Sequence, residues 1–203
     1  MLWNSVKRGR ATLILAHGAG APMDSPFMEF FSDQLALQKI RVGRFEFPYM
    51  DKRRKEGGKA PPNREPVLRE TWHSIIDEVG GKNLFIGGKS MGGRMASLVA
   101  SEVDIRGLVC LGYPFHPPGR PDRLRTEHLA LLQVPTLIVQ GERDSLGNRQ
   151  DVETYTLSDA IEVQWLGDGD HSFKPRKSSG RSLEDNLQQA VDHVARFIDG
   201  CRT

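Results

Sequence analysis

The chain has 203 residues, 38% of them hydrophobic, and its 28 basic and 26 acidic side chains leave a net charge of +2. That length suits one globular domain over residues 1–203 with a sizeable core. The balanced charge offers no field that would draw nucleic acid or an anionic membrane.

Lys7, Arg8 and Arg10 precede a six-residue apolar run, residues 11–16, that ends at His17. The run is too short for the hydrophobic part of a secretory signal, and no stretch approaches the length of a membrane span. It reads as a buried strand running into the loop His17-Gly18-Ala19-Gly20. Ser25-Pro26 starts a helix with an apolar face of Phe27, Phe30, Phe31, Leu35 and Leu37. A second strand covers residues 40–47 and stops at Pro48.

Residues 50–66, with Lys52-Arg53-Arg54-Lys55 and three prolines, read as a long polar loop, either mobile or a cover for the site. Without interleaved aromatics its basic run is a solvated loop rather than a nucleic-acid patch. Helical spacing resumes over 67–79 through Leu68, Trp72, Ile75, Ile76 and Val79, and a strand, a glycine-packed turn and a helix follow over 84–101. The remaining strands are expected at 105–111, 135–140 and 161–166, with short helices at 124–132 and 148–156 and an amphipathic closing helix at 183–198. Two cysteines, Cys110 in an apolar run and Cys201 near the end, make no disulfide framework. They suit a reducing compartment, so a cytoplasmic protein is expected.

Strands alternating with helices predict an α/β fold: a doubly wound, mostly parallel six-stranded sheet of order 2-1-3-4-5-6. Its crevice opens beyond the carboxyl ends of strands 1 and 3, where the winding reverses. Strand 1 ends in the His17 loop, and strand 3 ends in Gly88-Lys89-Ser90-Met91-Gly92. That pentad fits the nucleophile-elbow pattern G-x-S-x-G, in which a sharp bend lifts a serine hydroxyl clear of the sheet. A phosphate-binding loop would need a glycine where Asn83 stands. An isolated pentad also arises by chance, so the rest of the chain has to decide.

A serine needs a base, and the base needs a carboxylate to orient it. Asp144 lies just past strand 5 and His171 just past strand 6, which completes the order Ser, Asp, His expected with such a turn. His171 takes the Ser90 proton in this reading, and Asp144 holds the imidazole. Glu142 is a rival for Asp144, and Asp168 and Asp170 are first of all turn residues. The N–H groups of Ala19 and Met91 are the expected oxyanion donors. His116 is a candidate for the pocket wall, whereas His73, His128 and His193 read as structural or exposed. No histidine pair has metal-ligand spacing, so neither a metal nor another cofactor is expected.

The segments 15–20, 44–50, 87–94, 141–144 and 169–172 together resemble a small α/β-hydrolase family. It includes bacterial dienelactone-hydrolase-like proteins and the hydrolase-like domain of the third subunit of the chromatin NSL complex. The resemblance implies the α/β-hydrolase fold, a triad at Ser90, Asp144 and His171, and a small-molecule ester-like substrate. Some relatives act as scaffolds, which makes a non-catalytic interaction protein the alternative. The chain lacks a large cap domain, leaving substrate enclosure to 50–66 and 113–123 and favouring small acyl groups.

Overall fold

The computed structural model describes residues 1–201. Seven strands form one sheet: β1 (Leu2–Trp3), β2 (Ala11–Ala16), β3 (Ile40–Phe45), β4 (Leu84–Lys89), β5 (Gly107–Leu111), β6 (Thr136–Gly141) and β7 (Ile161–Leu166). Their order is β1-β3-β2-β4-β5-β6-β7. The six parallel strands β2 to β7 keep the expected 2-1-3-4-5-6 order, and β1 adds a seventh, antiparallel to β3. Two residues are too few for a periodic signal, which is why β1 was not expected. It is fixed by pairing and by Arg41 stacked 3.8 Å from the Trp3 ring centroid.

The inner strands are continuous apolar runs because helices cover both faces. On one face α1 (Pro26–Leu37) and α6 (Leu183–Gly200) pack through Phe31, Leu35, Leu187, Val191 and Val194. On the other, α3 (Glu65–Val79) and α4 (Met91–Val99) bury Trp72, Ile76, Met95 and Val99. A capping box at Ser182 and Asp185 fixes the start of α6. No described helix is long and apolar enough to cross a membrane.

Four expectations are corrected. The polar loop expected over 50–66 is helical at its start, where α2 (Pro48–Glu56) has Pro48 in its first turn and buries Tyr49 and Met50. The helix expected over 124–132 is only a 3-10 turn at Leu129–Leu131, and the one near 148–156 shrinks to α5 (Arg149–Val152). Leu37, read as part of the apolar face of α1, is 75% exposed at the helix end.

The winding reverses between β2 and β4, where Ala16 pairs with Gly88. The close approach of these strand ends depends on the elbow glycines. A Cβ at Gly92 would lie 2.5 Å from the Ala16 oxygen and 2.6 Å from that of His17. Helix propensity alone favours Gly92→Ala by about 1 kcal/mol, but overpacking against fixed backbone costs up to about 3 kcal/mol. The expected net loss is about 2 kcal/mol, read as a Tm lower by about 4–8 °C. Gly200→Ala, whose Cβ meets nothing within 4 Å, is the control that should hold its Tm.

Candidate active site

Ser90 sits between β4 and α4 at φ 51°, ψ −116°, a left-handed conformation rare for a residue with a side chain. Its main chain is pinned on both sides, with Ser90 N–H donating to the Leu111 oxygen at 3.0 Å and the Ser90 oxygen accepting from Arg94 N–H at 3.0 Å. Strain of this kind persists only where the surroundings impose it. The other strained non-glycine positions include Asp168 (φ 53°) and Phe173 (φ 70°), which flank His171. The turns carrying the serine and the histidine are thus both over-determined.

Three remote segments converge there. Ser90 Oγ lies 2.8 Å from His171 Nε2, and His171 Nδ1 lies 2.7 Å from Asp144 Oδ2. Asp144 is fully buried, and its carboxylate is satisfied without a cation. Leu146 N–H donates to Oδ1 at 2.8 Å, and Gln140 Nε2 donates to Oδ2 at 2.8 Å. Gln140 is itself buried at the end of β6 and locked to Tyr113 and Gly147.

The rival carboxylates are engaged elsewhere. Glu142 pairs with Arg149 and accepts from Asp168 N–H. Asp168 is bound by Arg176, whose hydrogen bonds hold its carboxyl down to about 2. Asp170 accepts from Ser172 and Lys174 N–H as a turn residue does. His116 is buried against the Pro117 oxygen and does not line the cavity at Ser90.

The loop after β2 closes over the elbow: a Cβ at Gly18 would sit 3.7 Å from that of Ser90. His17 is fully buried, and burial lowers its pKa, so it is neutral. Its Nδ1–H donates to the Gly18 oxygen at 2.6 Å, and its Nε2 accepts from Phe47 N–H at 3.2 Å. Tyr49 Oη donates to the Gly18 and Ala19 oxygens at 3.3 and 3.1 Å, and Arg53 reaches the Ala19 oxygen at 3.4 Å. In a trans peptide the N–H points opposite the carbonyl. Tying the Gly18 oxygen to His17 and Tyr49 therefore turns the Ala19 N–H away from them, and it has no hydrogen-bond partner among the described residues. The Met91 N–H opens α4 and is one of the donors a helix start leaves free.

Ser90 and His171 open into a cavity of about 740 Å³ whose walls are mostly apolar. Phe27, Met28 and Phe30 of α1, Leu146, and Leu183 and Leu187 of α6 form them. Neither 50–66 nor 113–123 contributes to its lining, which corrects the expected cover. The volume lies within the range of cavities that take drug-sized ligands, so size alone does not restrict the acyl group to a short one. The sequence reading missed Tyr49, Arg53 and Gln140. Tyr49 lies within the 44–50 motif, and Gln140 is a polar residue near the end of an apolar strand, the signals by which each could have been found.

A sheet of this order with a strained serine after its third parallel strand defines an α/β hydrolase by class. Residues 9–199 match the family described as Alpha/beta hydrolase domain, and the chain belongs to that family. Solved structures share the fold. An alpha-beta serine hydrolase homologue from Coxiella burnetii is 17% identical, with 93% of this chain and 88% of that one covered at a TM-score of 0.68. A serine hydrolase without a lid from Xanthomonas campestris is 20% identical, with 95% and 84% covered at 0.67. Est1E from Butyrivibrio proteoclasticus with ferulic acid bound is 15% identical, with 98% and 94% covered at 0.72.

Proposed function

We propose that the protein is a serine hydrolase that cleaves a small carboxylic ester, or a thioester or amide, through an acyl-enzyme at Ser90. The observation that carries this reading is the unbroken hydrogen-bonded run from Ser90 Oγ through His171 to Asp144, with links of 2.8 and 2.7 Å. His171 takes the hydroxyl proton as Ser90 Oγ attacks the carbonyl carbon. The developing oxyanion accepts from the N–H groups of Ala19 and Met91, donors of a kind whose loss costs about 100-fold or more. His171 then gives its proton to the leaving group as the acyl bond to it breaks. Water enters, loses a proton to His171 and attacks the acyl carbon; the bond from that carbon to Ser90 Oγ breaks, His171 returns the proton to Oγ, and the acid is released. Asp144 stays ionised, holding the Nδ1–H tautomer and stabilising the imidazolium.

The apolar wall suits an ester with an apolar acyl or alcohol portion. The neighbour with ferulic acid bound makes aromatic esters worth screening beside acetyl to octanoyl ones. Buried Cys110 and half-buried Cys201 are unpaired, which suits a reducing compartment, and we assign the activity to the cytoplasm.

A fluorophosphonate probe is expected to label the wild-type protein at Ser90 and to spare Ser90→Ala; equal labelling of the two removes the claim. If Ser90 stays unlabelled, no ester, thioester or amide is cleaved and a protein co-purifies at fixed ratio, a non-catalytic interaction protein replaces the enzyme reading.

A further inference from the structure

Lys89 ends β4 immediately before the serine, and the G-x-S-x-G pattern leaves its identity open. Its ammonium lies 5.3 Å from the Phe27 ring centroid and 5.5 Å from that of Phe173, and it forms no ion pair among the described residues. A leucine or methionine would pack between these rings without the cost of desolvating a charge. What the ammonium adds is one hydrogen bond, from Nζ to the His171 carbonyl oxygen. Among the described residues this is the only hydrogen bond made by the His171 main chain, while its side chain bonds Asp144 and Ser90 alone.

Gly112, past β5, makes room for this contact. It has φ 68°, and a Cβ there would lie 2.6 Å from Lys89 Nζ and 2.9 Å from the His171 oxygen. Four strand ends thus cooperate to seat one ammonium: β4 supplies it, β5 opens the space, and the turns after β6 and β7 bring Asp144 and His171.

We propose that Lys89 is a positioning residue for the hydrolytic pair, its ammonium holding the His171 main chain so that the imidazole stays in register with Ser90 Oγ. This rests on the reading of Ser90 as nucleophile. A shift of about 1 Å in the imidazole is enough to cost on the order of 100-fold in rate.

The tether is also sensitive to pH. Desolvation pulls the Lys89 ammonium down to about 8, opposed by the carboxylates of Asp144, beyond β6, and Asp170, beyond β7. Around it stand the uncharged Phe27 of α1, Gly112 in the loop past β5, and His171 and Phe173 in the turn past β7. As pH rises through that value the charge is lost. A neutral amine still donates, but charge-assisted hydrogen bonds are about twice as strong, so the register loosens and is not abolished.

The test is the rate of fluorophosphonate labelling and of ester hydrolysis between pH 6 and 10 for wild type, Lys89→Met and Lys89→Arg, with circular dichroism recorded at each pH. The wild-type rate is expected to fall about threefold or more around pH 8 with the fold intact. Lys89→Met is expected to lose about 10- to 100-fold in kcat at pH 7, with KM nearly unchanged and without the fall near pH 8. Lys89→Arg, a donor whose charge does not titrate here, is expected to recover most of kcat and hold it to pH 10. Wild-type kcat in Lys89→Met, or a fall near pH 8 that persists in it, overturns the proposal. Where the variants do not fold, a wild-type rate flat from pH 7 to 9.5 does the same. Absence of any labelling of Ser90 would instead remove the nucleophile reading, so the two failures are distinguishable.

Discussion

Ser90→Ala is expected to lower kcat on the best ester by about 10⁶-fold and to leave the fold intact. Alanine removes one oxygen and keeps the Cβ that the backbone at φ 51° already accommodates, so the circular dichroism spectrum and Tm should stay close to wild type. His171→Ala is expected to cost about as much, because neither group moves the proton without the other. The double variant then loses no more than either single one. What remains, about 10³- to 10⁴-fold over water, comes from the oxyanion donors and from binding. If the two losses instead multiply in the double variant, the groups act independently, and the acyl-enzyme reading fails.

The order of the six parallel strands was legible because β2, β4, β5 and β6 are short, mostly apolar runs and β3 and β7 interleave apolar with polar residues, all between glycine-rich or polar breaks, and because residues 84–101 switch from strand to helix at a recognisable turn. Ser90, Asp144 and His171 could be grouped for the same reason: Ser90 follows β4 at once, Asp144 and His171 lie in the turns past β6 and β7, and parallel strand ends share one edge. Helix α2 was illegible because only Tyr49 and Met50 are buried in it. Its run Lys52-Arg53-Arg54-Lys55 reads as solvent-exposed whether it is loop or helix, although these residue types favour helix. The cavity wall was misassigned because Phe27 and Phe30 look like core residues in sequence, whereas in the fold they are half-buried and line the cavity. The tether from Lys89 to His171 joins residues 82 positions apart through a side chain and a carbonyl, and no local pattern encodes that pairing.

Asp144→Asn is expected to lower kcat by about 10⁴-fold with KM little changed, the effect of presenting the wrong imidazole tautomer to the serine. The reason lies in the donors around the carboxylate. Oδ2 accepts from His171 Nδ1 and Gln140 Nε2, and Oδ1 accepts from Leu146 N–H. An asparagine amide cannot serve all three. With its NH₂ toward His171 it opposes the Gln140 donor and drives the imidazole to the Nε2–H form, whose proton points at Ser90 Oγ. With its NH₂ toward Leu146 it sets two donors face to face in a site with no access to water, where an unmet donor costs about 1–3 kcal/mol. Either orientation therefore loses activity, stability or both, and a carboxylate is the one group of this shape that satisfies every neighbour. Glu142→Gln is the decisive contrast, since Glu142 faces Arg149 and the Asp168 N–H. It is expected to keep kcat within about threefold, as surface substitutions remote from the reacting groups generally do little. If Asp144→Asn kept kcat within tenfold of wild type while Glu142→Gln lost it, the carboxylate of the relay would have been misidentified, whatever the 2.7 Å contact to His171 suggests.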